Sequence, residues 1–202
     1  MADQPEFLLL SNLPCLDLVN TEARENDRPV DLLSGFPDLL DWLVRAGVAS
    51  EAMVRAARER WAGRSEGTAA FRQAVALRAS LRQMAERLVE GKPPSDGQLE
   101  AINRVLAEGP SYRRLVRKGK GFSTATVPER ETAMQLLAPV AESAAWLLEH
   151  GDLSLLRRCE NPRCVLYFYD TTRNGRRRWC SMAGCGSRAK AAAYYRRKRD
   201  AS

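Results

Sequence analysis

Four cysteines lie within 27 residues of one another near the C-terminal end, in the pattern Cys159-x4-Cys164-x15-Cys180-x4-Cys185. Two close pairs separated by a longer stretch fold the chain back on itself so that all four sulfurs can meet. Thiolates suit zinc, which takes four ligands in a tetrahedron. Each pair must curl the chain around the ion. The first encloses Glu160-Asn161-Pro162-Arg163 and the second Ser181-Met182-Ala183-Gly184, with Gly186 just beyond, and both stretches favour turns. Four protein ligands leave no open coordination position, so the pattern points to one structural Zn2+ and not to a catalytic one. The spacings are not those of the ferredoxin iron–sulfur proteins. A redox switch that ejects zinc stays compatible with a structural ion at rest.

Disulfides are the other use of a cysteine cluster. The N-terminal stretch MADQPEFLLLSNLP lacks the basic flank and long apolar core of a secretory signal, so export is not expected and metal is the better reading. The fifth cysteine, Cys15, sits among Leu13, Leu16 and Leu18 and reads as a buried small hydrophobe. The single histidine, His150, lies outside the cluster and reads as a solvated helix end.

Between the pairs, Val165 to Tyr169 are strand formers and Asn174-Gly175 is a strong hairpin signal. The expectation is a hairpin whose return strand, Arg176 to Trp179, carries Cys180 back beside the first pair. Ser187 is the expected N-cap of a terminal helix through AAAYYRRKR. So small a unit has few apolar residues, and metal binding supplies the missing stability, on the order of 10 kcal/mol for structural zinc sites.

Charge separates the chain into two parts. Residues 157–202 hold 13 Lys or Arg and 3 Asp or Glu, whereas residues 1–156 hold 19 and 22. A basic module wants a polyanion, and phosphate neutralisation by Lys and Arg is the main source of nucleic-acid affinity. The candidate contacts are Arg173, Arg176, Arg177 and Arg178 around the hairpin, and Arg188, Lys190, Arg196, Arg197, Lys198 and Arg199 on the helix. Arg188, Ala191, Ala192, Tyr195 and Arg199 share one side of that helix, and Lys190, Tyr194 and Arg197 the other. One tyrosine is expected to pack on Trp179 or Phe168. DNA is the expected partner. RNA is the alternative, with Tyr167, Phe168, Tyr169 and Tyr194 stacking on unpaired bases. A third reading makes the module an adaptor for an acidic protein.

The first 150 residues read as mostly helical, with segments near 12–21, 35–47, 50–61, 68–90 and 95–106. Two short strands flank Lys118-Gly119-Lys120-Gly121, and Pro128-Glu129 opens a last helix reaching His150, kinked at Pro139. Arg24 to Pro29 reads as a polar break, and 63–67 as a loop. No catalytic motif is present and no enzyme is expected. Asp17, Asn20 and Thr21 are candidates to line a ligand pocket, with helix capping as the alternative. No apolar run approaches the roughly 20 residues that span a membrane. The length and apolar content of the helices suggest a homodimer. The effector is not identified.

The stretch from CENPRC through DTTRNGRRRWCSMAGCGSRAKAAAYYRRKR resembles the CGNR zinc finger, named for a Cys-Gly-Asn-Arg signature that here reads Cys185-Gly186-Ser187-Arg188. CLDLVNT at 15–21 resembles the helical domain that precedes this finger in a bacterial family of stress-induced transcription regulators. The resemblance implies Cys159, Cys164, Cys180 and Cys185 as zinc ligands, a cytoplasmic, nucleoid-associated location and a role in the stress response. The reading is thus a mainly α chain: a helical N-terminal domain (1–152) with a short β-hairpin, then a small four-cysteine zinc finger (153–202) of β-hairpin plus helix.

Overall fold

The computed structural model describes residues 6–25, 27–108, 111–128 and 131–200. Leu13 leads into α1 (Pro14–Val19), which opens on proline at a position where no amide is needed. Phe36 to Arg45 form α2, and α3 (Glu51–Trp61) is capped by Ser50, whose hydroxyl accepts from Met53 N. The central element is α4 (Ser65–Val89), followed by α5 (Asp96–Ala107) with a capping box between Ser95 and Gln98. Ala133–Leu137 make a 3-10 turn that runs into α6 (Ala138–His150).

Helix α4 is central because its apolar residues recur at helical spacing. Ala70, Ala74, Leu77, Leu81, Met84, Ala85 and Leu88 are all buried. The alanines let neighbours approach closely, and α1, α2, α3, α5 and the 133–137 turn pack around it. Trp42, Leu39, Leu40 and Leu43 of α2, and Leu16, Leu18 and Cys15 of α1, complete this core. Burial pushes the Cys15 thiol up to about 11, so it stays a neutral, inert hydrophobe.

Three antiparallel hairpins decorate the helices. β1 (Glu22–Glu25) pairs with β2 (Arg28–Asp31), where the sequence suggested only a polar break. β3 (Ser111–Lys118) pairs with β4 (Gly121–Pro128) around the two-residue loop Gly119-Lys120, as expected. β5 (Leu156–Arg158) pairs with β6 (Tyr167–Tyr169) inside the C-terminal module. Two details depart from expectation. Pro139 sits in the first turn of α6, where it ends the preceding 3-10 turn and bends nothing. Helix α4 already begins at Ser65, within the stretch read as a loop. Glu129, read as a helix opener, lies outside the described residues.

β6 ties the module to the helical body. Its Tyr167 and Tyr169 are buried in the same core as α4, and Leu156 of β5 joins them. The outer edge of β6 is covered by the N-terminal stretch. Tyr167 N donates to Asn20 Oδ1 at 2.9 Å, and Asn20 Nδ2 donates back to Tyr167 O at 2.8 Å. The Asn20 amide therefore acts as one rung of a β-ladder. Tyr169 N donates to Ser11 O at 2.9 Å, and Asn12 Nδ2 donates to Tyr169 O at 3.0 Å.

Behind this joint lie two arginines of α4. Arg78 is buried and grips both oxygens of Asp31 at 2.7 and 2.6 Å, with Thr21 Oγ1 at 2.8 Å. Burial pushes the Asp31 carboxyl up, but hydrogen bonds from Arg78 and Leu33 outweigh it and hold it below its ordinary value. Arg82 donates to Val19 O at 2.6 Å, Glu22 Oε2 at 2.8 Å and Val165 O at 3.4 Å, so it spans body and module. Replacing Asn20 by alanine removes the partner of two buried peptide groups. Asn20→Ala is expected to cost about 2–4 kcal/mol, measured by denaturant unfolding of the zinc-loaded chain.

Candidate metal centre and basic surface

The four cysteines are placed by backbone bonds at turns. Cys159 directly follows β5, and its N–H donates to Leu166 O at 3.0 Å, extending the hairpin by one rung. Cys164 closes a turn in which its N–H donates to Asn161 O at 2.8 Å, while Asn161 Oδ1 accepts from Arg163 N. On the other side, Ser181 Oγ accepts from Gly184 N at 2.9 Å and starts a single π-helical turn, Met182–Gly186, that holds Cys185. This turn runs into α7 (Ser187–Asp200). The cap is therefore Ser181, not Ser187, whose hydroxyl instead donates back to Met182 O at 2.9 Å. Gly186 is required by close approach: a Cβ there would lie 2.8 Å from Met182 Sδ and 3.2 Å from Trp179 Cδ1.

The four sulfurs lie within 4.8 Å of one another, with Cys164 Sγ and Cys180 Sγ 3.8 Å apart. Zinc–sulfur bonds of about 2.3 Å in a tetrahedron place sulfurs about 3.8 Å apart, so the cage fits one such ion. Cys159, Cys180 and Cys185 are buried and Cys164 half-buried. Donors surround the sulfurs. Cys180 N points at Cys159 Sγ at 3.4 Å, Asn161 Nδ2 at Cys185 Sγ at 3.3 Å, and Arg188 Nη2 at the same sulfur at 3.4 Å. A zinc ion with four thiolates keeps two net negative charges, and such donors offset them.

Three of the thiols shift one another. Hydrogen bonds from Cys164 and Cys180 hold Cys159 down to about 2, while donating to it raises Cys164 to about 12 and raises Cys180 as well. A cation entering the cage displaces the remaining protons. His150 takes no part; it is exposed and stacks on Trp146.

The expected hairpin between the pairs takes another form. The Asn174-Gly175 turn exists, with Gly175 at φ +58° and its N–H bonded to Thr172 O. No return strand follows it, because β6 already pairs with β5. Buried Asp170 captures the loop instead: Oδ1 accepts from Thr172 N and Oγ1, and Oδ2 from Arg177 N at 2.7 Å. Side-chain bonds of this kind compete with a ladder.

The basic candidates divide by surroundings. Arg173 and Arg176 are exposed on the loop, and Lys190, Arg196, Arg197, Lys198 and Arg199 are exposed along α7. Arg178 is exposed but paired with Glu160 at 2.6 Å. Arg177 turns inward. Its guanidinium lies 4.2 Å over the Phe168 ring and donates to Trp179 O, Cys180 O and Leu10 O. It clamps the module to the N-terminal stretch and presents no charge to a groove. Arg188 leans on the Cys185 sulfur, which raises its own pKa.

The aromatic expectations change in the same way. Tyr167, Phe168 and Tyr169 are buried and cannot stack on bases. Neither terminal tyrosine packs on Trp179 or Phe168; Tyr194 and Tyr195 are exposed and meet edge to face. Asp17, Asn20 and Thr21 do come together, but inside the joint. Asp17 Oδ1 accepts from Ser11 N at 3.0 Å, and burial raises its pKa. Thr21 Oγ1 donates to Leu18 O and accepts from Arg78. Their polar groups bond to other parts of the chain itself. Sequence reasoning missed Asn161 as a donor to the cage and Asn20 as a ladder rung; the Asn-Pro turn between ligands was the one local signal for the former.

Residues 12–151 match the ABATE family model, described as a putative stress-induced transcription regulator, and residues 156–198 match the CGNR zinc finger model. No curated protein matches the chain. The zinc finger so identified has its four cysteines close enough together to hold one metal ion. The purified protein is expected to carry one zinc per chain by elemental analysis, and Cys180→Ser to lose it. Arg188→Ala and Asn161→Ala are expected to keep the stoichiometry but weaken zinc retention about 10–100-fold in competition with a chelating dye.

Proposed function

The chain belongs to the ABATE family of putative stress-induced transcription regulators, and from that premise we propose that it is a zinc-dependent DNA-binding regulator. Cys185, the fourth ligand, sits in the turn that becomes α7, so zinc sets the direction of that helix. This junction carries the proposal: one ion orders the surface on which the exposed cations stand. Lys190, Arg196, Arg197, Lys198 and Arg199 on α7, with Arg173 and Arg176 on the loop, are the phosphate and base contacts. Ala191 and Ala192 leave the helix slim enough to approach a groove. Arg177 and Arg188 serve the scaffold beneath it.

Burial of Tyr167, Phe168 and Tyr169 takes away three of the four aromatics named for stacking on unpaired bases, leaving exposed Tyr194, and this supports duplex DNA over RNA. The helical body dimerises or senses a signal. Dimerisation doubles the number of phosphate contacts, and one small finger alone holds few. Light scattering that finds only monomer at working concentration argues against that part.

Genome-wide mapping of bound DNA, wild type against Cys180→Ser, tests the function. Discrete sites are expected for the wild type and their loss for the variant. In solution, duplex DNA is expected to outcompete single-stranded RNA. Absence of any nucleic-acid affinity at low salt would overturn the proposal in favour of a protein adaptor.

A further inference from the structure

The β3–β4 hairpin is unlike the rest of the helical body. Residues 111–128 hold five cations, Arg113, Arg114, Arg117, Lys118 and Lys120, and no Asp or Glu. The other residues up to 156 hold 14 basic and 22 acidic side chains. All five cations are exposed. Strand alternation puts Arg113, Leu115 and Arg117 on one face, opposite Thr126, Thr124 and Phe122. That face also carries two large apolar side chains in solvent, Leu115 at 68% and Phe122 at 64% exposure. The Arg117 guanidinium lies 5.4 Å from the Phe122 ring, and Arg113 Nη2 donates to Thr124 Oγ1 at 2.7 Å. The other face holds half-buried Val116, Ser123 and Ala125 beside exposed Arg114 and Lys118, so cations flank the ribbon on both faces. A solvated face needs charge of either sign; this one concentrates a single sign around apolar groups.

Eight residues per strand make a ribbon about 27 Å long, roughly three quarters of a turn of duplex DNA. A two-stranded ribbon fits the major groove, and apolar side chains on such arms contact bases or wedge between them. We propose that β3–β4 is a second DNA-binding element: a basic ribbon that lies in a duplex groove, with its Arg and Lys on the flanking phosphates and Leu115 and Phe122 toward the bases. It rests on the reading that duplex DNA is this chain's ligand, but it places part of the binding in the helical body, away from the finger.

The test uses the full zinc-loaded chain and a duplex of about 20 base pairs. A ribbon variant replaces Arg113, Arg114, Arg117, Lys118 and Lys120 by threonine, which keeps strand propensity; a finger variant replaces Arg196, Arg197, Lys198 and Arg199 by alanine. The ribbon variant is expected to bind about 10–100-fold more weakly, with a salt dependence shallower by about 2–4 in log–log slope. Adding duplex to the wild type is expected to protect Lys118 and Lys120 from acetylation, a readout that needs no variant. An unchanged slope and unprotected lysines, with binding lost only in the finger variant, overturn the ribbon and leave the finger reading standing. A ribbon effect with full binding by the finger variant does the reverse. Binding of anionic lipid vesicles through these residues, with no protection by duplex, also overturns it.

Discussion

Thiolates this close repel one another. With four sulfurs inside 4.8 Å, full ionisation concentrates four negative charges in a volume that excludes most water, and the thiols escape this only by sharing protons or by taking a cation. Proton sharing is visible in the divergence of Cys159 from Cys164 and Cys180. A divalent ion removes half the charge and replaces weak sulfur hydrogen bonds by metal bonds. Asn161, Arg188 and the Cys180 amide address the remaining charge. The arginine of the Cys-Gly-Ser-Arg signature thus has a physical role at the centre itself, and the serine that replaces asparagine has its own bond to Met182 O.

The module leans on two supports of different kinds. Up to Asp170 it is held by the helical body: β6 is buried against α1 and α4, Asn20 pairs with its edge, and Arg82 reaches Val165. Beyond Asp170 there is little apolar burial. Before α7 begins, Cys180, Cys185 and Gly186 are buried, and Gly175, Arg177, Trp179, Ser181 and Gly184 are half-buried. Loss of the ion would therefore loosen the Met182–Gly186 turn and the terminal helix before it loosened β6 or the loop held by Asp170 and Arg177. A finger built in this way gives up its ordered surface while its parent domain stays folded, which is the behaviour that a metal- or redox-responsive element requires.

Much of this architecture was legible because it is local. Ser50 and Ser95 cap helices where the sequence placed them, β3 and β4 meet around Lys118 to Gly121, and the four cysteines converge as their spacing demanded. What stayed hidden depends on partners far apart in the chain. Val165 to Tyr169 looked ready to pair forward across Asn174-Gly175, but β6 pairs back with Leu156 to Arg158, and Asp170 takes up amides of the loop that follows. Arg177 stands between two exposed arginines, and nothing in RRR says which one meets Leu10 O, 167 residues away. Asn20 and Thr21 read as ligand contacts or helix caps; their bonds to the edge of a distant strand and to buried Arg78 could not be seen in the sequence.

Charge constrains how this chain can approach a polyanion. The helical body without its β3–β4 ribbon carries 22 acidic against 14 basic side chains, so a phosphate backbone is repelled from most of it. Screening at physiological salt acts over about 8 Å, so only elements that stand clear of the acidic surface can reach phosphates without cost. Exposed positive charge is concentrated on α7 and on the ribbon. An acidic body that carries basic patches would meet a polyanion with those patches first, because those encounters are the attractive ones. Selectivity of orientation then follows from the charge distribution, before any base is read.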